Sequence, residues 1–357
     1  MFVLNYTGDG GTEKYVLNLI SALGKDKCVF VYSEKGPFFD KFKTLGMPIY
    51  QVSMKSPFDY SAAKQIKKIC LAEGVTYIHA QFLRENYIAL LSSVLGSKAR
   101  VIWTYHVNVP MPSYIKFSNS LMCRLNHKVI AVAEFMKIEL LQKGVPEEKI
   151  KVIYNGIRDP YRGHTRPKVT NEKIISVVGR LSPEKGHQYL FNCLAKVKKE
   201  RPDLLWKLNI VGDGGLKQEL NALAINLGID DNVVFKGFVN DMQSEYENSD
   251  IIVMPSQNEA FPFVAIEALA NQKPVISTNV GGLPEIIRHN ETGLLTTYGD
   301  VHSLSESIIK LLEDETLANN LAENGREYFL QTLTFDEMLN KTLSVYNLSR
   351  ETIKINN

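Results

Sequence analysis

Four segments of this 357-residue chain hold side chains suited to binding an anion or handling a polar substrate. Gly179-Arg180-Leu181-Ser182-Pro183-Glu184-Lys185-Gly186 puts two cations in one loop. Arginine grips a phosphate with forked N–H groups and lysine adds a compact charge, so Arg180 and Lys185 suit a diphosphate. Taken alone, the loop also reads as a solvated turn with a Glu184–Lys185 pair. Glu259-Ala260-Phe261-Pro262-Phe263-Val264-Ala265-Ile266-Glu267 carries one acid in a loop and a second inside an apolar helix, beside Ile266, Ala268 and Leu269. Burying Glu267 there is costly without a hydroxyl or cation partner; a salt bridge on a half-exposed helix is the simpler alternative. Free amides at 261–264 favour a phosphate. Gly8-Asp9-Gly10-Gly11-Thr12-Glu13 joins a strand to a helix, where glycines let backbone N–H groups approach a ligand. Glu13 replaces the last glycine of GxGxxG, so a standard dinucleotide fingerprint is not expected, and a tight structural turn competes. His106 closes an apolar strand at the end where chemistry is sought, although a lone histidine is more often structural than catalytic; His79 ends another strand and is the weaker candidate.

No metal site is expected, since the sequence has no HExxH, no Cys/His cluster and no DxD, and it also lacks GxSxG and GxxxxGK[ST]. Cys28, Cys70, Cys123 and Cys193 are scattered without a CxxC pair, which fits a reducing compartment.

The elements that must position these residues alternate strand and helix. Met1–Asn5, Cys28–Tyr32, Thr76–His79, Val101–Tyr105, Lys128–Val132 and Lys151–Tyr154 read as buried strands, with helices at Thr12–Leu23 and Phe135–Lys143. Arg158–Asn171, with Pro160, Gly163 and Pro167 among polar residues, reads as a linker. Alternation restarts with strands at Ile174–Val178, Leu208–Val211, Val233–Phe235, Ile251–Met254, Val275–Thr278 and Gly293–Leu295. Helices are read at His187–Glu200, Leu216–Leu227, Phe263–Ala270, Ser303–Glu313, Leu317–Phe329 and Phe335–Ser349. The expectation is α/β: two doubly wound, Rossmann-like domains facing across a cleft, with ligands beyond the carboxyl ends of the strands. The boundaries are 1–157, a linker over 158–172, 173–334, and a C-terminal helix over 335–357 that can return to the first domain.

The overall charge is +2, which argues against a general polyanion binder, and no basic-aromatic motif suggests nucleic acid. Residues 1–160 hold 21 Lys and Arg against 13 Asp and Glu, a net +8, whereas 161–357 carry −6. Lys116, Arg124 and Lys128 flank Tyr114, Ile115, Phe117, Leu121, Met122 and Leu125 on a helix expected over Ser113–Asn126. Lys64, Lys67 and Lys68 accompany Ile66 and Ile69 in the same way. Such faces suit an anionic membrane surface, or else pack on the core with solvated lysines. Asp9, Glu13 and Lys14 come too early for a signal peptide, and no apolar run approaches the ~20 residues of a membrane span. A cytoplasmic protein is expected, with a peripheral contact at the inner membrane face as a candidate.

Taken together, the segments resemble the retaining glycosyltransferases of family 4, with the GT-B architecture. Further matching stretches are Asn155-Gly156-Ile157, Val211-Gly212-Asp213-Gly214, Gly237-Phe238-Val239, Asp250 to Ser256, Gly281-Gly282-Leu283-Pro284-Glu285 and Thr292-Gly293-Leu294-Leu295. The resemblance implies a hexosyl transfer from a nucleotide sugar, a UDP-sugar in the first instance, to a hydroxyl on a glycan or lipid-linked glycan, in polysaccharide or glycolipid assembly, with no cofactor and no metal. It implies that Arg180 and Lys185 grip the diphosphate, Glu267 binds the ribose, Glu259 binds the donor sugar, and Gly237, Phe238 and Val239 hold the base. Ala260, Phe261, Pro262, Phe263 and Val264 would line the donor, Gly10 and Gly11 would approach the phosphates, and His106 would sit beside the reacting sugar. Ala260 and Pro262 stand where the family usually has glycines, and Arg158 where an acid often follows Asn-Gly-Ile. An epimerase or phosphorylase on the same fold, and an inactive sugar-nucleotide-binding partner subunit, are the alternatives.

Overall fold

The computed structural model describes residues 1–107, 113–161, 163 and 171–353. The chain divides into an N-terminal unit, Met1–Asn155 with Glu337–Asn357, and a C-terminal unit, Gly156–Asp336.

In the N-terminal unit the strands are β1 (Phe2–Tyr6), β2 (Phe30–Glu34), β3 (Ile49–Gln51), β4 (Tyr77–Ala80), β5 (Arg100–Tyr105), β6 (Lys128–Ala131) and β7 (Ile150–Val152). The helices are α1 (Gly11–Leu23), α2 (Phe39–Thr44), α3 (Tyr60–Ala72), α4 (Leu83–Val94), α5 (Ser113–Met122) and α6 (Glu134–Gln142). The strands pair in parallel in the order β3-β2-β1-β4-β5-β6-β7. β5 is buried from Val101 to Tyr105, as expected for a strand covered on both faces. Val3, Val31, Ile78 and Val101 pack with Ile66 and Ile88 in one core cluster.

The C-terminal unit repeats the plan. Its strands are β8 (Lys173–Val178), β9 (Trp206–Val211), β10 (Val233–Gly237), β11 (Ile251–Met254), β12 (Val275–Thr278) and β13 (Leu294–Thr296). Its helices are α7 (His187–Glu200), α8 (Lys217–Asn226), α9 (Met242–Asn248), α10 (Phe263–Ala270), α11 (Leu283–Ile286), α12 (Val301–Glu313) and α13 (Glu315–Thr332). The parallel order is β10-β9-β8-β11-β12-β13. Helix starts are signalled locally: Asp241, Asp300 and Asp314 each accept a backbone N–H three residues on. Two last helices are α14 (Phe335–Val345) and α15 (Arg350–Ile353). Tyr346 hydrogen-bonds His79 Nδ1 at 2.5 Å within the N-terminal unit.

In each sheet the strand order reverses at one place, between β1 and β4 and between β8 and β11. The crevice beyond the carboxyl ends at such a point is where doubly wound sheets take ligands. The two ends of the C-terminal unit are joined at a neck. Ile157 donates to Leu333 O at 3.2 Å and accepts from Phe335 N at 2.7 Å. A Cβ at Gly156 would collide with the Thr334 carbonyl, so only glycine fits there.

The strand expected from Cys28 starts two residues later, at Phe30, leaving Cys28 buried outside it. β3, α2, α3, α4, α9, α11 and α15 were not anticipated. Residues 162 and 164–170 of the expected linker lie outside the described residues.

Candidate active site

In the C-terminal unit the two loops flanking the strand-order reversal meet. Gln257 N donates to Glu184 O at 2.8 Å, joining the loop after β11 to the loop after β8. Gly186 is in the left-handed region at φ 70°, and a Cβ there would strike the Pro255 carbonyl. Close approach of the loops therefore requires a glycine at this position.

This contact brings Lys185 to Glu259. Nζ lies 2.6 Å from Oε1, and Ser256 Oγ donates to the same oxygen at 2.8 Å. Glu259 is buried, 9% exposed, so its charge is matched by one cation and one hydroxyl while Oε2 makes no bond among the described residues. The pair expected between Glu184 and Lys185 gives way to this arrangement: Glu184 instead accepts from Ser182 Oγ at 2.6 Å, which holds its carboxyl below the ordinary range. Arg180 is exposed at the carboxyl end of β8; its carbonyl accepts from Ser182 N at 2.9 Å, and its guanidinium makes no hydrogen bond or ion pair among the described residues. His187 opens α7 and is buried; desolvation, helped by the Lys185 charge, lowers it to about 4, so the ring is neutral.

Glu267 lies on the half-buried side of α10. Its partner is a hydroxyl: Tyr246 of α9 donates to Oε2 at 2.7 Å. Burial, with the carboxylate beside it, holds the Tyr246 phenol well above its ordinary range. Phe261 is buried, and Ala260, Pro262, Phe263 and Val264 are half-buried around the start of α10. Pro262 is the N-cap, so the next amides have no intrahelical acceptor. Gly237 ends β10 at φ 68° and is bridged to Gly212; Phe238 is 74% exposed and Val239 half-buried. Gly281, at φ 55°, packs so closely that a Cβ would collide with the Glu259 carbonyl.

In the N-terminal unit Gly10 is the N-cap of α1 and Gly11 its first residue. The buried Glu13 carboxylate folds back over this turn: a Cβ at Gly8 or Gly10 would lie 3.1 or 3.0 Å from its oxygens. One carboxylate thus already sits in the field of these amides. His106 follows β5 and is buried; Nε2 is 2.9 Å from Gln81 Oε1, and Tyr15 packs edge-on at 4.9 Å. Desolvation lowers His106 to about 3. His79 is engaged on both ring nitrogens, by Tyr346 and by Thr104 at 2.6 Å, which is a structural role. Among the described residues, no three His, Cys, Asp or Glu side chains group to hold a metal, and no helix is long and apolar enough to cross a membrane.

Two parallel sheets carrying this residue order agree with the family comparisons. The descriptions "Glycosyltransferase Family 4" and "Glycosyl transferases group 1" match residues 9–161 and 164–328 in succession. The chain belongs to glycosyltransferase family 4. This glycosyltransferase is 33% identical to an uncharacterized glycosyltransferase of Methanocaldococcus jannaschii, over 63% of the chain and 60% of the relative. It is 28% identical, over 87% of the chain and 89% of the relative, to an N-acetylgalactosamine-N,N'-diacetylbacillosaminyl-diphospho-undecaprenol 4-alpha-N-acetylgalactosaminyltransferase of Campylobacter jejuni. Anabaena HepE, crystallised with UDP, superposes with a TM-score of 0.84 at 21% identity, covering 97% of this chain and 98% of that one. The fold is therefore GT-B.

Sequence reading gave no role to Ser256, which it quoted only as the end of a matching stretch, and missed Tyr246 and Gln81. Ser256 and Gln81 follow the carboxyl ends of β11 and β4, a position that signals a site residue. Tyr246 left no such trace.

Proposed function

We propose that this glycosyltransferase moves a hexosyl group, with retention of configuration and without a metal, from a UDP-sugar to a hydroxyl acceptor. The observation that carries the reading is the Lys185–Glu259–Ser256 cluster beside the exposed Arg180. Breaking the sugar–phosphate bond leaves growing negative charge on the nucleoside diphosphate. Arg180, Lys185 and the first amides of α10 supply positive potential for it, the task a metal performs elsewhere. Glu259 keeps Oε2 open for a donor-sugar hydroxyl. Glu267, steadied by Tyr246, keeps Oε1 open for a ribose hydroxyl. The exposed stretch after Gly237 suits the base, and His106 suits a sugar hydroxyl. A carboxylate nucleophile for a double displacement is not assigned; a front-face route, in which the leaving phosphate takes the acceptor proton, is the reading that this inventory favours. UDP bound to HepE and the undecaprenol-linked acceptor named for the Campylobacter relative support the donor and acceptor classes.

Screening UDP-, GDP- and ADP-sugars by thermal stabilisation tests the donor, since a ligand at 100 times its Kd adds about 2.7 kcal/mol. Release of nucleoside diphosphate from the stabilising donor distinguishes an enzyme from an inactive binding subunit. Turnover should persist in excess EDTA; loss restored by Mg²⁺ or Mn²⁺ overturns metal independence.

The acceptor side is read as a cytoplasmic membrane surface. On α5 and the turn after it, Ile115 is buried, whereas Phe117 is 69% exposed and Leu121 and Leu125 are 54% exposed, with the exposed Lys116 and Arg124 beside them in the chain. The side chain of Tyr114 lies outside the described residues. On α3, by contrast, Ile66 is buried in the core, so Lys64, Lys67 and Lys68 belong to an ordinary amphipathic helix. An apolar face edged by cations suits a lipid-linked acceptor in polysaccharide or glycolipid assembly. Salt-sensitive binding to anionic liposomes, reduced by Lys116→Glu with Arg124→Glu, supports it; no binding at low salt points to a soluble acceptor.

A further inference from the structure

Gln81 follows β4 and is fully buried. Its Nε2 lies 3.2 Å from the His79 carbonyl. A carbonyl only accepts, so this contact fixes which end of the amide is nitrogen and turns Oε1 toward His106, 2.9 Å from Nε2. Oε1 also only accepts, so the proton of the neutral imidazole must sit on Nε2. That leaves a lone pair on Nδ1, which has no partner among the described residues. Tyr15 packs against the ring edge-on at 4.9 Å, and Phe82 lies at 6.4 Å. The other titratable groups facing this corner are Tyr15, raised to about 12 by burial, and His79, held well below its ordinary range by burial; both are uncharged at neutral pH.

We propose that Gln81 is a positioning residue that locks His106 in its Nε2–H tautomer, so that the ring meets substrate as a hydrogen-bond acceptor through Nδ1. His106 then receives a hydroxyl proton in a hydrogen bond and cannot serve as an acid or a cation in that contact. The tautomer assignment stands on the N-terminal unit alone; its consequence for turnover rests on the proposed placement of His106 beside the sugar.

Two-bond ¹H–¹⁵N correlation spectra of the full-length protein, labelled at histidine, read the tautomer directly. The expected wild-type spectrum shows His106 protonated at Nε2 and bare at Nδ1. Gln81→Leu removes the acceptor, mixes the tautomers, and lowers kcat at least tenfold with the nucleotide sugar selected in the thermal screen. Gln81→Glu keeps an acceptor at the same place, so the Nε2–H signal returns. It also makes the ring more basic, and kcat recovers only at higher pH, giving an acid limb that the wild type lacks. A wild-type Nδ1–H tautomer overturns the proposal. So does the expected spectrum combined with unchanged kcat in a folded Gln81→Leu protein. Neither result touches the glycosyl-transfer reading, which is tested separately through Arg180 and Lys185.

Discussion

Glu85 opens a pH dependence that has nothing to do with turnover. The side chain lies in the first turn of α4 and is fully buried, with Oε1 accepting from Asn5 N at 2.7 Å and Oε2 unpartnered. Desolvation pushes its carboxyl from the usual 4.5 up to about 7, with the Asn5 amide and the Arg84 charge acting the other way. The folded protein therefore holds this proton more tightly than the unfolded chain. Between about pH 4.5 and 7 the unfolded state has lost the proton while the native state keeps it, so native stability falls as pH rises through that window. The displacement amounts to about 3 kcal/mol at about 1.4 kcal/mol per pH unit. Glu85→Gln retains the acceptor for Asn5 and cannot ionise, so it should match or trail the wild type at pH 5 and exceed it by up to that amount at pH 8. The chain has two tryptophans, Trp103 in the N-terminal unit and Trp206 in the other. In a Trp206→Phe background, urea unfolding read by Trp103 fluorescence isolates the unit that holds Glu85. A stability difference between the two proteins that does not change from pH 5 to pH 8 refutes the reasoning.

Arg180→Ala and Lys185→Ala should each lower kcat about 10²–10³-fold at saturating donor while the thermal melt is kept; a tenfold or smaller loss in both removes the diphosphate assignment. Tyr246→Phe deletes the hydroxyl on Glu267 and should raise the donor KM several-fold with little change in kcat, measured as nucleoside diphosphate release. Gly281→Ala forces a side chain against the Glu259 carbonyl at a left-handed φ, so differential scanning calorimetry should show a loss exceeding the about 1 kcal/mol of the backbone conformation alone, and donor affinity should fall with it.

Buried parallel strands such as β5 and β11 are continuous apolar runs, and they were legible as such, as were the glycine-bearing turns that follow strands. α4 was not: Glu85, Asn86 and Ser92 are buried along with Tyr87 through Leu90, so its polar residues do not mark an outward face and its period is hidden. β3 is only three residues long, too short for any alternation to register. At the site, the sequence marked Lys185 and Glu259 as chemically apt but not as partners, because 74 residues separate them and their loops are joined by tertiary contacts, the packing of Gly186 on Pro255 and the Gln257–Glu184 backbone bond. Tyr246 was hidden for a related reason. Its phenol sits on a seven-residue helix that the sequence reading left unassigned, and its value lies entirely in where α10 places Glu267.

The neck at Ile157 and Thr334 has a mechanical meaning. The chain leaves the N-terminal unit after Asn155 and re-enters it at Glu337, so the C-terminal unit is an insertion in the chain of the other. Tension applied between the termini loads the N-terminal unit from the outset. The inserted unit bears none of that load until its host has opened, and the first thing it then feels is the pull that parts Ile157 from Leu333 and Phe335. In an optical trap the two units should yield in a fixed sequence, host before insert, whatever their relative thermodynamic stabilities.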